Sequence, residues 1–323
     1  MEENNRLIKV AVLRGGISPE YDVSLEAGKH VLENLDKNKY DALDILVDKN
    51  GLWHLKGVAI EPNILFNNID IVFNTLYGDF GEDGKIQRLL ETFAVPYVGS
   101  SVLPSAISLN KKLLKEFLSK SEDFELPIGF TINKGEDSGK TTIEAFRSVP
   151  NPWIIKTVSG GSSLGLSLAK DFQGLVHGIE EALKYSDTAL VEEYVSGREL
   201  FCGIVPGLRG EEQYLLPIFE IFKKGEYLDY QSKVEGLFDI EISKLPIKQK
   251  EKITNIVHNL SKELNLTSYA EFKFVLAPKG LYLVEINSLP KLTSQSSFIK
   301  ALDFVGVKQE EFLGHLIDGS LEG

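Results

Sequence analysis

Two stretches of this sequence carry residue types that do chemistry at close spacing. In the first, the apolar run Pro152-Trp-Ile-Ile-Lys156 breaks into Ser159-Gly160-Gly161-Ser162-Ser163-Leu164-Gly165 and then resumes as alternating residues to Leu168. The pattern predicts a strand, a flexible loop and a returning strand. Glycines let backbone N–H groups approach an anion, serine hydroxyls add donors, and Lys156 places a point charge at the loop base. Two readings fit the loop: a cover over a polyphosphate, or a hairpin turn with solvated serines. It is not a Walker A loop, because the G-x-x-x-x-G-K-[ST] order is absent. Nor does it lead from strand to helix, as a dinucleotide fingerprint does.

The second stretch runs from Tyr269 to Pro290. Two alternating segments flank Pro278-Lys279-Gly280, which reads as a three-residue hairpin loop. That register pairs Ala277 with Leu281, sets Lys273 opposite Glu285 and Glu271 opposite Asn287, and gathers all four on one surface. Glu285-x-Asn287 then offers hard oxygen ligands of the kind Mg²⁺ takes alongside water and phosphate. The alternative is the charged face of an amphipathic sheet. Lys111 and Lys115 lie one turn apart on a helix, either as a solvated face or as phosphate contacts. Glu20 follows a Gly15-Gly16 turn at a helix start, where it either favours the helix dipole or serves a ligand site. Val191-Glu192-Glu193-Tyr194-Val195 ends a strand before Gly197-Arg198-Glu199, and carboxylates there can accept from an adenine amino group and ribose hydroxyls.

The elements that position these residues follow from periodicity. Strands at 7–13, 40–46 and 69–74, a short piece at 51–55 and a helix at 25–35 predict an open α/β layer. In such layers ligands sit beyond the carboxyl ends of the strands, where Gly15, Gly16 and Glu20 fall. A helix begins at Ser105, a short one covers 141–146, and amphipathic helices cover 171–185 and 248–264. Segments 189–195, 200–205 and 214–222 continue as antiparallel strands, and 227–242 reads as a long connection able to serve as a lid. Three domains are expected, at 1–100, 101–190 and 191–323.

Bulk properties narrow the partners. The 323 residues are 43% apolar and 25% charged, with a net charge of −12. That composition is globular, and an acidic chain without a basic stripe argues against nucleic acid as the main partner. Cys202 is the only cysteine, which excludes an internal disulfide and suits a reducing cytoplasm. The acidic first residues do not read as a signal peptide, and no apolar run reaches membrane-spanning length.

Taken in order, the motifs resemble the D-alanine–D-alanine ligase family of ATP-grasp enzymes over nearly the whole chain. They are Gly15-Gly16-x-Ser18-x-Glu20-x-x-Val23-Ser24, Gly81-Glu82-Asp83-Gly84-x-x-Gln87, Pro96-Tyr97-x-Gly99-Ser100 and Ser105-Ala106-x-x-Leu109-Asn110-Lys111. The Lys156–Gly165 hairpin, Val191-Glu192 with Gly197-x-Glu199, Asp229-Tyr230-x-x-Lys233 and Glu285-x-Asn287-x-x-Pro290 complete the set. The resemblance implies a three-domain ATP-grasp fold: an open parallel-sheet α/β domain, a small central α+β domain and a C-terminal antiparallel-sheet α+β domain. It implies ATP with Mg²⁺ or Mn²⁺, D-alanine or a similar amino acid as substrate, a homodimer, and the joining of two D-alanines through an acyl phosphate for peptidoglycan synthesis.

By position, the resemblance implies that Lys111 and Lys156 hold phosphates under Ser162 and Ser163. Glu192, Tyr194 and Val195 line the adenine, and Glu199 takes the ribose. Glu285, Asn287 and Glu271 hold metal. Glu20 anchors the first ammonium, tied to the lid by Ser162, and Ser296 meets the second carboxylate. Lys233 and Lys273 complete the reactive set. Five positions depart from the family: Glu271 and Lys273, in Glu271-Phe272-Lys273, replace the Arg and Asp of Arg-x-Asp, Lys291 a glycine, Val234 a tyrosine and Tyr77 a histidine. On one reading Glu271 supplies metal from two residues away, while Lys273 or Lys291 carries the arginine's charge. On another, Lys273 pairs with Glu285 and leaves a weakened ATP-binding homologue with a regulatory role. A third keeps the chemistry with a different second substrate.

Overall fold

The computed structural model describes residues 6–136, 138–161, 165–223 and 237–322. The first sheet holds β1 (Ile8–Gly15), β2 (Tyr40–Val47), β3 (Trp53–Leu55), β4 (Val58–Ala59), β5 (Ile71–Asn74) and β6 (Tyr97–Val98) in the order β4-β3-β2-β1-β5-β6. Its inner pairings are parallel, and β3 and β4 add an antiparallel edge. β1 and β5 are apolar on both faces, as strands covered on two sides must be. Helix α1 (Tyr21–Asn34) covers one face, while α2 (Pro62–Phe66) and α3 (Lys85–Thr92) accompany the other. β1 stops at Gly15, whose φ of +92° and the 2.3 Å that would separate a Cβ from the Val47 carbonyl exclude other residues there.

Helices α4 (Val102–Leu109) and α5 (Lys111–Leu118) replace the single helix expected from Ser105. Asn110 breaks the run and caps α5, its side-chain oxygen accepting from the N–H groups of Lys112 and Leu113 at 3.1 Å. Lys111 therefore opens a helix, with its own N–H donated to the Val158 carbonyl at 3.0 Å.

The second sheet is antiparallel, in the order β7-β10-β8-β9, from β7 (Gly129–Asn133), β8 (Trp153–Thr157), β9 (Ser167–Ala169) and β10 (Thr188–Glu193). Helices α6 (Ser138–Ser148) and α7 (Phe172–Tyr185) cover one face around the buried Trp153. The third sheet runs β14-β13-β11-β15-β16, with β12 also on β11. Its strands are β11 (Arg198–Pro206), β12 (Gln213–Leu215), β13 (Phe219–Lys223), β14 (Phe238–Ile242), β15 (Ala270–Ala277) and β16 (Gly280–Asn287). The end of the expected lid connection is thus strand β14, while Asp229, Tyr230, Lys233 and Val234 lie outside the described residues.

Side chains alternate along β15, which splits the third sheet's two faces. Phe272 and Phe274 join the core under α8 (Ile247–Glu263), together with Leu114 and Leu118 of α5. Phe201, Phe219 and Tyr269 face the other way, into a core shared with the first sheet, α9 (Ser297–Phe304) and α10 (Gln309–Glu322). Phe312 of α10 meets Tyr269 edge-on at 5.5 Å. The same helix reaches back to the first sheet, where Lys39 pairs with Asp318 at 2.7 Å. Burial of each such aromatic contributes about 1.5–3 kcal/mol.

The Tyr269–Pro290 hairpin corrects one expectation and keeps its consequence. Ala277 pairs with Gly280, not Leu281, so the loop is tighter by a residue. A bulge beyond Lys273, with Val284 as the extra residue, then restores the expected pairing of Lys273 with Glu285 and of Glu271 with Asn287.

Candidate active site

The second and third sheets face each other across a cavity of about 310 Å³. On the second sheet, Lys156 at the end of β8 pairs with Glu192 near the end of β10, a diagonal neighbour on the same face two residues beyond its direct partner Leu190. Lys115, one helical turn beyond Lys111, pairs with the same carboxylate and donates to the Pro127 carbonyl at 2.5 Å. Glu192 is 2% exposed. Burial pushes its carboxyl up, but the two ammonium groups outweigh burial and hold it below the usual range. Lys111 donates to the Gly160 carbonyl at 2.9 Å, which fixes it at the mouth of the glycine loop. Burial, reinforced by the nearby charge of Lys156, lowers its pKa to about 8. A cluster with more ammonium than carboxylate, edged by Gly160 and Gly161, is built to receive an anion.

The third-sheet wall has the opposite balance. Lys273 Nζ lies 2.8 Å from Glu285 Oε2 and 3.4 Å from Glu271 Oε2. Burial opposes its charge, yet the two carboxylates raise its pKa above the ordinary lysine value. Glu271 is buried and also accepts from the Ser297 hydroxyl at 2.7 Å. Asn287 Oδ1 accepts from the Leu289 N–H at 2.9 Å. Glu271, Lys273, Glu285 and Asn287 all line the cavity. Ser296 lines it too, capping α9 by accepting from the Ile299 N–H at 3.3 Å. The carboxylate and amide oxygens of Glu285 and Asn287, two residues apart on β16, suit one hard cation shared with phosphates. Among the described residues no group of three or more His, Cys, Asp or Glu gathers into a metal cage.

The first domain closes one end. Glu20 precedes α1 but does not cap it. Its carboxylate meets Lys291 Nζ at 2.5 Å and accepts from the Gly161 N–H at 3.2 Å, so the three domains converge on one buried group. A Cβ on Gly161 would stand 3.1 Å from that carboxylate, which favours glycine at this point of the loop. The Gly81–Gln87 motif acts from behind. Asn74 and Gln87 donate to the Gly81 carbonyl at 3.0 and 2.9 Å, and Glu82 accepts from the Gly78 N–H at 2.6 Å. This holds Tyr77, whose hydroxyl accepts from the Leu292 N–H at 2.9 Å beneath Lys291. Burial, with Glu20 nearby, pushes the Glu82 carboxyl up to about 8.

Comparison with known proteins decides what this arrangement belongs to. A family model described as D-ala D-ala ligase C-terminus matches residues 126–318, and one described as D-ala D-ala ligase N-terminus matches 9–63 and 57–100. The chain belongs to the D-alanine–D-alanine ligase family. It is 31% identical over 316 residues to the D-alanine–D-alanine ligase of Clostridium botulinum (strain 657 / Type Ba4), covering 98% of this chain and 99% of that protein. With the corresponding ligase of Solibacter usitatus (strain Ellin6076) the identity is 33% over 322 residues, covering 98% and 96%. Among solved structures, the Bacillus anthracis ligase complexed with ATP superposes with a TM-score of 0.79 at 27% identity, covering 98% of each chain. The Vibrio cholerae O1 D-alanyl-alanine synthetase A reaches 0.82 at 23% identity, covering 98% and 99%, which speaks for the fold alone.

Within this ligase fold, the expected residues Lys111, Lys156, Glu192, Tyr194, Val195 and Glu199 meet on one cavity with Glu271, Lys273, Glu285, Asn287 and Ser296. Glu199 is paired with Lys223. Glu20 reaches the same space through Lys291 and Gly161. Ser162, Ser163 and Lys233 lie outside the described residues. The sequence reading gave Lys115 no fixed role, although its spacing from Lys111 carried the signal. It also left Lys223 and Glu82 without one. No local pattern marks the Lys291–Glu20 pair, whose members are 271 positions apart.

Proposed function

We propose that this chain joins two D-alanines at the expense of ATP, through an acyl phosphate, and so supplies a dipeptide for peptidoglycan. The observation that carries the reading is the pair of opposed walls, ammonium-rich on the second sheet and oxygen-rich on the third, in a chain of this family. Lys111 and Lys156 hold the phosphates, and Ser162 and Ser163 add hydroxyl donors to them. Glu192, Tyr194 and Val195 receive the adenine. A carboxylate has about four lone-pair sites, so Glu192 can keep its two lysines and still accept from an amino group. Glu199 takes the ribose hydroxyls.

Glu285 and Asn287 hold Mg²⁺ or Mn²⁺, with Glu271 beside them, and the ion when bound neutralises phosphate charge. Glu20 anchors the ammonium of the first D-alanine, which competes there with Lys291. Ser296 meets the carboxylate of the second, and Lys233 and Lys273 add positive charge near the transferring group. Such a site accelerates phosphoryl and acyl transfer chiefly by positioning and charge stabilisation. The domains divide near 100 and 190, the chain works as a homodimer in the cytoplasm, and no nucleic acid or membrane takes part. Among the described residues no helix is long and apolar enough to cross a membrane.

Phosphate release from ATP with and without D-alanine, alongside chromatographic detection of the dipeptide, tests the reading. D-Alanine-dependent release with matching dipeptide is expected. Tight ATP binding without such release would overturn it.

A further inference from the structure

We propose that Lys273 is a built-in cation standing where the hairpin would otherwise take a divalent ion, so that this chain holds one such ion per nucleotide. The inference rests on the proposed ATP site and goes beyond it to the number of ions that site accepts.

Two carboxylates, one from β15 and one from β16, converge on the same point from the same face of the hairpin. Brought together in a half-enclosed cavity, they repel unless a cation lies between them. Lys273 Nζ is that cation, 2.8 Å from Glu285 and 3.4 Å from Glu271. The arrangement is anchored from below, because Glu271 is 3% exposed and its other oxygen accepts from Ser297 at 2.7 Å. The side chain of Lys273 is itself only 22% exposed, so water does little to screen it.

An ion bridging Glu271 and Glu285 would need oxygens at about 2.0–2.1 Å if it were Mg²⁺. It would have to share that space with an ammonium of like charge. The two cannot occupy it together. What remains for a divalent ion is the neighbouring position between Glu285 and Asn287, completed by phosphate oxygens and water. The tether makes the difference chemical as well as numerical. A lysine on the strand delivers one charge without dissociating, and it cannot be stripped by a chelator.

The test is the stoichiometry of Mn²⁺, counted by the electron paramagnetic resonance signal of free ion during titration. The full chain is used with an equimolar non-hydrolysable ATP analogue, AMP-PNP. One Mn²⁺ per chain is expected at saturation, and two would overturn the proposal. Lys273→Ala should raise the count to two, whereas Lys273→Arg should leave it at one. A folded Lys273→Ala variant that still binds one ion also overturns it. Should that variant fail to fold, as judged by circular dichroism, the count in the unaltered chain decides alone. Calorimetry of AMP-PNP on the same samples separates the two layers. No nucleotide binding removes the ATP reading and the inference with it, while nucleotide bound with two ions removes the inference only.

Discussion

The two walls of the cavity are mirror images in charge. On the second sheet one carboxylate, Glu192, lies between two ammonium groups, Lys115 and Lys156. On the third, one ammonium, Lys273, lies between two carboxylates, Glu271 and Glu285. Each trio is locally satisfied, as buried charges must be. Each also carries a surplus, positive on one wall and negative on the other. The same residue types therefore do different jobs: the first wall attracts an anion, and the second attracts the cation that accompanies it. The field between them is directional in a chain whose net charge is −12, so overall acidity says little about what this cavity holds.

Breaking one wall at its centre should have the largest effect. Glu192→Ala leaves the half-buried Lys115 and Lys156 without their shared partner, and removing one member of a buried group costs up to about 3–5 kcal/mol. Urea unfolding should show that loss, with added ATP restoring part of it by supplying negative charge. Unchanged stability would mean that Glu192 is not what balances the two lysines. Next in size is Lys156→Ala. Loss of a charge-assisted hydrogen bond to phosphate, about 1.5–3 kcal/mol, weakens ATP binding roughly ten- to a hundredfold by calorimetry. An affinity equal to that of the unaltered chain would place the phosphates elsewhere.

The smallest effect concerns pH. Burial, with the charge of Lys156, lowers the Lys111 pKa to about 8, below its ordinary value. On the proposed function, phosphate binds the protonated form. Affinity for ATP should thus hold steady below pH 8 and fall by up to about tenfold per unit above it. Lys111→Arg, whose guanidinium keeps its proton, should flatten that decline. A flat profile in the unaltered chain would separate Lys111 from the phosphates.

How much of this was legible in the sequence depends on distance along the chain. The alternation of Glu271, Lys273, Glu285 and Asn287 is local, and period-two patterning placed all four on one surface. The loop register missed by one residue, because Pro278-Lys279-Gly280 accommodates more than one turn and a bulge has no signature of its own. The helix expected from Ser105 divided at Asn110 because a capping side chain competes with helix continuation, which apolar periodicity does not report. Long-range pairs left no trace. Glu20 reads locally as an acid at a helix start, and only the folded chain brings Lys291 and Gly161 to it.

The last helix, α10, fills one side of the core whose other side is built from β1, β5 and α1, with Phe312, Leu313 and Leu316 in one cluster with residues such as Val31 and Phe73. A nascent chain leaving the ribosome therefore presents its first domain with one flank still bare. That flank stays greasy and uncovered until α10 docks on it, so the amino-terminal third does not complete its core from its own residues.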